Sequence, residues 1–380
     1  MVDPLQDMMA YHQQSRHYPG ALAWVERQGR VLARQVSGRL HGDEGATAPM
    51  APDAVFRIAS LSKPLVSLLA LMLVEQRLLE LDTPVGEVLP ELTGLALADG
   101  RAPGRVPSLR DCLRHTVGLP YAPDIRDPAA RQRADDLGLN RSVLLSRAEF
   151  LAALAALPLA AAPGTRFQYG YGTDLAGLVV ERITGQSLAD ALQQRVLDPL
   201  QMKNTGFRRP PASHAAMPRA FPEDAAWHRF VDQACEADRR HAAGEDLLPS
   251  GGGGLTSTLD DYVRFARLLA NGGVLPDGTC LLGADLFGQM MSDQLGPQVD
   301  GPYGFTGGGF GFGLAGAIRL PFGAAATPAR AGEFTWSGVT GHTLYIDPAS
   351  GWFALMLSSN TASRLAVRLE FRRAAALASA

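Results

Sequence analysis

Lysine is nearly missing from this chain. Of its 35 basic residues only two are lysine, Lys63 and Lys203. A coding bias toward Arg and Ala accounts for the general shortage, yet the two cations differ physically. A buried lysine can shed its proton and an arginine in practice cannot. Cysteine is scarce too. Cys112, Cys235 and Cys280 are odd in number and widely spaced, which forms no metal pattern and fits a reducing compartment. Charge of one sign is also lacking. A formal net charge of −3 leaves no basic field for nucleic acid or an anionic membrane. The longest apolar runs, residues 64–74 and 150–162, fall short of the roughly 18 residues that span a bilayer. The first 14 residues hold no basic n-region and no apolar h-region, so no secretory signal is expected and the expected location is cytoplasmic.

Several reactive motifs are absent as well. There is no Gly-x-Ser-x-Gly, which leaves a nucleophile elbow unsupported. There is no His-Glu-x-x-His or clustered Cys/His set, and no Gly-x-x-x-x-Gly-Lys-Ser/Thr loop. Neither a metal nor a nucleotide mechanism is expected, and no cofactor.

What the chain does have is apolar length. Apolar residues make up 46% and charged residues 19% of 380, enough for a well-buried core in one large domain or two ordinary ones. Residues 21–26 and 30–35 alternate around Arg27-Gln28-Gly29 and read as a hairpin. Residues 64–79 are apolar almost all round and read as a buried helix. Ser108-Leu-Arg-Asp111 and Ser187-Leu-Ala-Asp190 resemble capping boxes opening helices. Residues 147–157 and 174–184 also read as helical. Residues 205–250 read as a long loop or lid-like excursion. Four glycines, 251–254, precede a further helix start. Strand signals return at 315–320, 333–336, 342–347 and 352–358, before a terminal helix over 362–378. Strands at both ends and helices between predict an α+β fold. Its antiparallel sheet comes from both termini (1–80 and 250–380), flanked by helices, with a mainly helical insertion over 81–249.

The sharpest local signal is Ser60-Leu-Ser-Lys63. Pro64 is tolerated only in a helix's first turn, so the helix starts near Ser60 or Leu61. Ser60 and Lys63 then share one face, and the Ser60 amide lies at the positive end of the helix dipole. A serine hydroxyl needs a base to become a nucleophile, and a buried lysine with a lowered pKa can be that base or can hold the proton network in place. With 19 serines and two lysines, chance gives about 0.1 such pairs. A surface lysine beside a capping serine has the same letters, but the helix that follows is too apolar for a solvated face. Ser62 competes with Ser60 only if the helix register is shifted.

Phe56-Arg-Ile-Ala-Ser-Leu-Ser-Lys63 resembles the active-site segment of the serine β-lactamase and penicillin-binding-protein superfamily, specifically its class C-like branch. The likeness extends to Pro19-Gly20, to Leu109-Arg-Asp-Cys-Leu-Arg-His-Thr-Val-Gly-Leu119, to Pro163-Gly-Thr-Arg-Phe-Gln-Tyr169, to Pro199-Leu-Gln-Met-Lys-Asn-Thr-Gly206 and to residues 251–262. The superfamily's second motif, Tyr-x-Asn or Tyr-Ser-x, reads Tyr169-Gly170-Tyr171 here. Tyr169 is the implied catalytic tyrosine and Tyr171 a lesser candidate. The third motif, Lys-Thr-Gly in lactamases, reads Trp336-Ser337-Gly338 and leads into Val339. The tryptophan form is similar to that of family VIII carboxylesterases and related acyltransferases.

The resemblance implies a β-lactamase-like fold and a serine esterase. Ser60, Lys63 and Tyr169 would be catalytic, and the amides of Ser60 and Val339 would form the oxyanion hole. Trp336, Ser337, Gly338, Tyr171 and Tyr121 would line the substrate site, with Asp174 a weaker supporting candidate. His115 and His342 read as structural. A Trp face suits a neutral apolar group better than an anion. The expected partner is a small-molecule ester, with no nucleic acid and no membrane, and no oligomeric state is specified. The same site could serve a β-lactamase, a D-amino-acid peptidase or an acyltransferase; a degenerate binding module is the non-enzyme alternative.

Overall fold

A computed structural model of the chain describes residues 3–296, 299 and 308–379. The expected hairpin is β1 (Gly20–Arg27) and β2 (Arg30–Gly38), paired antiparallel. Its two-residue turn, Gln28-Gly29, has positive φ at both positions (51° and 77°), the turn whose twist matches a hairpin. β3 (Phe56–Arg57) and β4 (Thr256–Ser257) form a separate two-stranded piece. The rest of the large sheet comes late in the chain: β5 (Phe310–Phe312), β6 (Ala317–Arg319), β7 (Phe334–Ser337), β8 (Thr343–Asp347) and β9 (Trp352–Ser358). The order is β2-β1-β9-β8-β7-β6-β5, antiparallel throughout, so the first hairpin is zipped onto the last strand.

The helices are α1 (Pro4–Gln14), α2 (Ser62–Glu75), α3 (Val85–Val88), α4 (Leu109–Leu113), α5 (Pro128–Asp136), α6 (Arg147–Ala155), α7 (Gly172–Thr184), α8 (Leu188–Leu192), α9 (Ala225–Ala242), α10 (Leu259–Ala270), α11 (Ala284–Met290) and α12 (Arg364–Leu377). Strand alternation sorts them into layers. Ala21, Ala23 and Val25 face α1 and α12 with Ala354, Met356, Val367 and Phe371. Leu22, Trp24, Leu355 and Leu357 face the opposite core with α2 and α10. This is an α+β fold with the β-lactamase-like order of elements.

Local chemistry accounts for the helix ends. Ser108 and Asp111 cap α4 reciprocally, and Gly185 stops α7 in the left-handed region at φ 67°. α2 is buried from Ser62 to Leu73, so each of its leucines contributes about 1.5–3 kcal/mol of burial. One expectation fails. The stretch read as a loop at 205–250 contains α9, eighteen residues capped by Asp224. The prolines that suggested irregularity leave 223–248 free, and Trp227, Phe230, Ala234, Ala237 and Asp238 recur there at helical spacing.

Candidate active site

Ser60 lies in a single 3-10 turn, Ala59–Leu61, that runs straight into α2. Pro64 falls in the first turn of α2, where its missing N–H costs nothing. Ala59 has φ +48°, an uncommon conformation for a residue with a Cβ, and it turns the chain sharply between β3 and the helix. Ser62 is excluded from solvent. Its hydroxyl donates to Ala59 O (2.7 Å) and accepts from Leu255 N (3.1 Å), so it fastens the turn. Ser60 remains half-buried with its Oγ open to a cleft.

Lys63 is 1% exposed. Its Nζ lies 3.4 Å from Ser60 Oγ and donates to Gly252 O (2.5 Å) and to Tyr121 Oη (2.9 Å). Burial lowers its pKa from the ordinary lysine value to about 7, and the Asp174 carboxylate opposes that fall. Asp174, on α7, accepts from Ser250 Oγ (2.6 Å) and Gly252 N (3.0 Å). The glycine run packs closely here. A Cβ on Gly252 would lie 2.5 Å from Asp174 Oδ2 and 2.9 Å from Tyr121 Oη, so only glycine lets its carbonyl reach Lys63.

Tyr169 arrives from the loop before α7 and donates to Ser60 Oγ at 2.7 Å. Burial raises its pKa, and the Ser60 hydrogen bond works against that rise. His115 lies beneath it, ring centroids 4.6 Å apart, and holds the loop through Gln168 N to His115 O (2.8 Å) and Gly170 N to His115 Nδ1 (3.4 Å). Burial keeps this imidazole neutral. Tyr171 is committed elsewhere. Its hydroxyl donates to Leu139 O (2.8 Å) and accepts from Ala122 N (3.2 Å), while its ring packs edge-on against Tyr121 on the cleft floor.

The third motif ends β7. Trp336 packs edge-to-face with the Tyr169 ring at 5.4 Å, and Ser337 Oγ bonds Thr343 Oγ1 at 3.0 Å. A Cβ on Gly338 would lie 2.6 Å from Ile58 O, so glycine is what lets this strand end close against the Ser60 segment. The Arg57 carbonyl accepts from Thr340 Oγ1 (3.0 Å) and His342 Nε2 (2.9 Å), which holds the two pieces together. Gly338 N donates to His342 O (3.0 Å) and closes the turn that carries Val339 into the cleft. His342 is buried, with a pKa lowered to about 4, and serves as a structural donor.

These groups open into a cleft of about 530 Å³. Its walls include Leu139, Val143, Phe230 and Leu369, besides Trp336 and Tyr121. Two contributors were missed from the sequence. Arg57 lines the cleft from β3, and Arg368 reaches it from α12 and donates to the Gly338 carbonyl. The third motif itself brings no cation, but the last helix does. Its arginines recur as Arg364, Arg368 and Arg372, a four-residue spacing that marks one helix face and was the available signal. Among the described residues no group of His, Cys, Asp and Glu is placed to hold a metal ion, and no helix is long and apolar enough to cross a membrane.

The chain is 36% identical over 363 residues to the esterase EstB of Burkholderia gladioli, covering 91% of this chain and 87% of that protein. It is 31% identical over 350 residues to penicillin-binding protein 4 of Amycolatopsis lactamdurans, covering 90% and 81%. Among solved structures, EstCE1, a hydrolase with promiscuous acyltransferase activity, superposes with a TM-score of 0.79 at 28% identity, covering 98% of this chain and 97% of that one. A family model described as Beta-lactamase matches residues 5–378, and the chain belongs to that family.

Proposed function

We propose that this protein is a serine carboxylesterase that hydrolyses small, fairly apolar carboxylic esters through an acyl-Ser60 intermediate. The observation that carries the reading is the pair of contacts at Ser60 Oγ: Tyr169 Oη at 2.7 Å and a buried Lys63 Nζ at 3.4 Å. Similarity to EstB and EstCE1 supports the esterase chemistry.

Hydrogen counting supports a division of labour. A neutral amine has two hydrogens and one lone pair. The Lys63 hydrogens go to Gly252 O and Tyr121 Oη, which leaves the lone pair toward Ser60. Tyr169 donates to Ser60 Oγ, so the serine's own hydrogen is directed elsewhere, toward Lys63. With its pKa near 7 Lys63 can accept that hydrogen, whereas the raised Tyr169 phenol keeps its proton until a leaving alkoxide needs one. Ser60 Oγ would bond to the ester carbonyl carbon while its proton passes to Lys63. The amides of Ser60 and Val339 would hold the oxyanion. Collapse would break the ester C–O bond, with Tyr169 protonating the alcohol and Lys63 restoring the Tyr169 proton. Water would then release the acid by the reverse sequence, and an alcohol in its place would give acyl transfer, as the activity named for EstCE1 suggests.

Ser60→Ala tests the reading. It should reduce p-nitrophenyl acetate turnover by at least about 10³-fold. Intact mass should show an acyl adduct on the parent enzyme and none on the variant. Undiminished turnover in a folded Ser60→Ala protein refutes the assignment.

A further inference from the structure

Arg57 stands three residues before Ser60 and is 7% exposed, yet the chemistry above does not use its side chain. Its Nη2 donates to Asp238 Oδ2 at 2.8 Å and lies 3.4 Å from Cys235 Sγ. Asp238 Oδ2 also meets His214 Nε2 at 2.9 Å. Asp238 and Cys235 belong to α9, and His214 to the 3-10 turn Pro211–Ala216. This buried group therefore joins the strand that delivers Ser60 to the excursion that walls the cleft.

The tie matters because α9 is otherwise held mainly near its ends, by Asp224 on Thr361 and by Arg240 on the Leu144 carbonyl. Of its eighteen residues only Trp227, Ala237 and Asp238 are buried. The next turns toward the N-terminus carry Phe230, Gln233 and Ala234 into the cleft wall. An ion pair out of water is costly to desolvate and is unforgiving of a lost partner. Such a pair fixes one seating of the helix rather than a range of them. The Arg57 carbonyl meanwhile accepts from Thr340 and His342, so the same residue fixes Gly338 and Val339 against Ser60. One residue thus references the cleft wall to the reacting oxygen.

We propose that Arg57 and Asp238 form a buried clamp that seats α9 as the wall of the cleft, and that Asp238 is thereby a positioning residue that sets how well the bulky part of an ester is held. The proposal rests on the esterase reading of the site. A compact ester occupies only the space around Ser60, Trp336 and Val339, whereas a long or ring-bearing group must lean on α9.

The test is Asp238→Asn in the full chain, assayed on p-nitrophenyl acetate and p-nitrophenyl octanoate, with alkylation of Cys235 followed by peptide mass. Expected is a rise of about tenfold in KM for the octanoate, with kcat and KM for the acetate within about twofold. Cys235 should also alkylate about tenfold faster as the helix loosens. Equal losses on both esters, an unchanged ester ratio, or unchanged Cys235 labelling would overturn the clamp. Should Asp238→Asn fail to fold, His214→Ala removes the outer partner of the same carboxylate. It should move the ester ratio and the labelling in the same directions by about threefold, and no movement in either overturns the proposal. Absence of acetate turnover in the parent enzyme would instead count against the esterase reading, whereas the Cys235 labelling needs no turnover at all.

Discussion

Two influences oppose each other at Lys63. Burial withdraws water from the ammonium and favours the neutral amine, and the Asp174 carboxylate behind Gly252 favours the charge. The balance falls near 7, where either form is within reach. If the neutral amine takes the Ser60 proton, kcat/KM for p-nitrophenyl acetate rises with pH through an apparent pKa of about 7. Asp174→Asn provides the sign. The amide oxygen can still accept from Ser250 and Gly252, so the geometry survives while the negative charge goes. Because that charge holds the lysine pKa up, its removal should move the limb to lower pH. A limb that stays in place or moves upward in the full pH–rate profile would assign the titration to another group.

Between elements, the decisive distance is that from β7 to the turn holding Ser60. Gly338 permits it, since a Cβ there would lie 2.6 Å from Ile58 O and 3.1 Å from the His342 ring. Gly338→Ala should push the strand end and the Val339 amide outward. The loss of one oxyanion donor typically reduces turnover about 10²–10³-fold, and that is the expected fall in kcat. The urea midpoint should change little, because β7 keeps its pairing with β8. Full kcat in this variant would argue that Val339 takes no part. Elements of this kind differed in how far the sequence disclosed them. The hairpin was readable because Gln28-Gly29 is a local turn signal between alternating runs. The start of α2 was readable to within a residue or two because Pro64 has to fall in the first turn. α9 was not, because its few buried positions are diluted by ten charged, amide or alanine neighbours and its seat is Arg57, 181 residues earlier in the chain. Ser60 and Lys63 sit on one turn and could be paired from spacing alone. Tyr169 was reached only by resemblance, since 109 residues separate it from Ser60. The Asp174, Ser250 and Gly252 cradle under Lys63 joins three distant segments, and no local pattern announces it.

At the scale of the molecule, the two chain ends close the fold around the site. β1 pairs with β9, α1 packs on α12, and α12 sends Arg364 to Thr361 O, Arg368 to Gly338 O and Arg372 to Glu333. The last of these contacts is a buried bidentate pair, with the Arg372 side chain 8% and the Glu333 side chain 2% exposed. Glu333 immediately precedes β7, so this pair registers the terminal helix on the strand that ends in Trp336 and Gly338. Removing one member of such a pair leaves a bare charge in the core, whereas replacing both by apolar groups of similar volume is often neutral. Arg372→Met should therefore lose about 3–5 kcal/mol of unfolding free energy, and Arg372→Met with Glu333→Leu should recover most of it. Urea unfolding of both variants measures this, with kcat on p-nitrophenyl acetate followed alongside. If the pair supplies registry as well as balance, the stable double variant still loses turnover, because nothing polar fixes how far α12 slides along β7. A double variant that regains stability and activity together would make the pair a replaceable packing element and leave the Arg368 contact to Gly338 as the tie that aligns the last helix with the cleft.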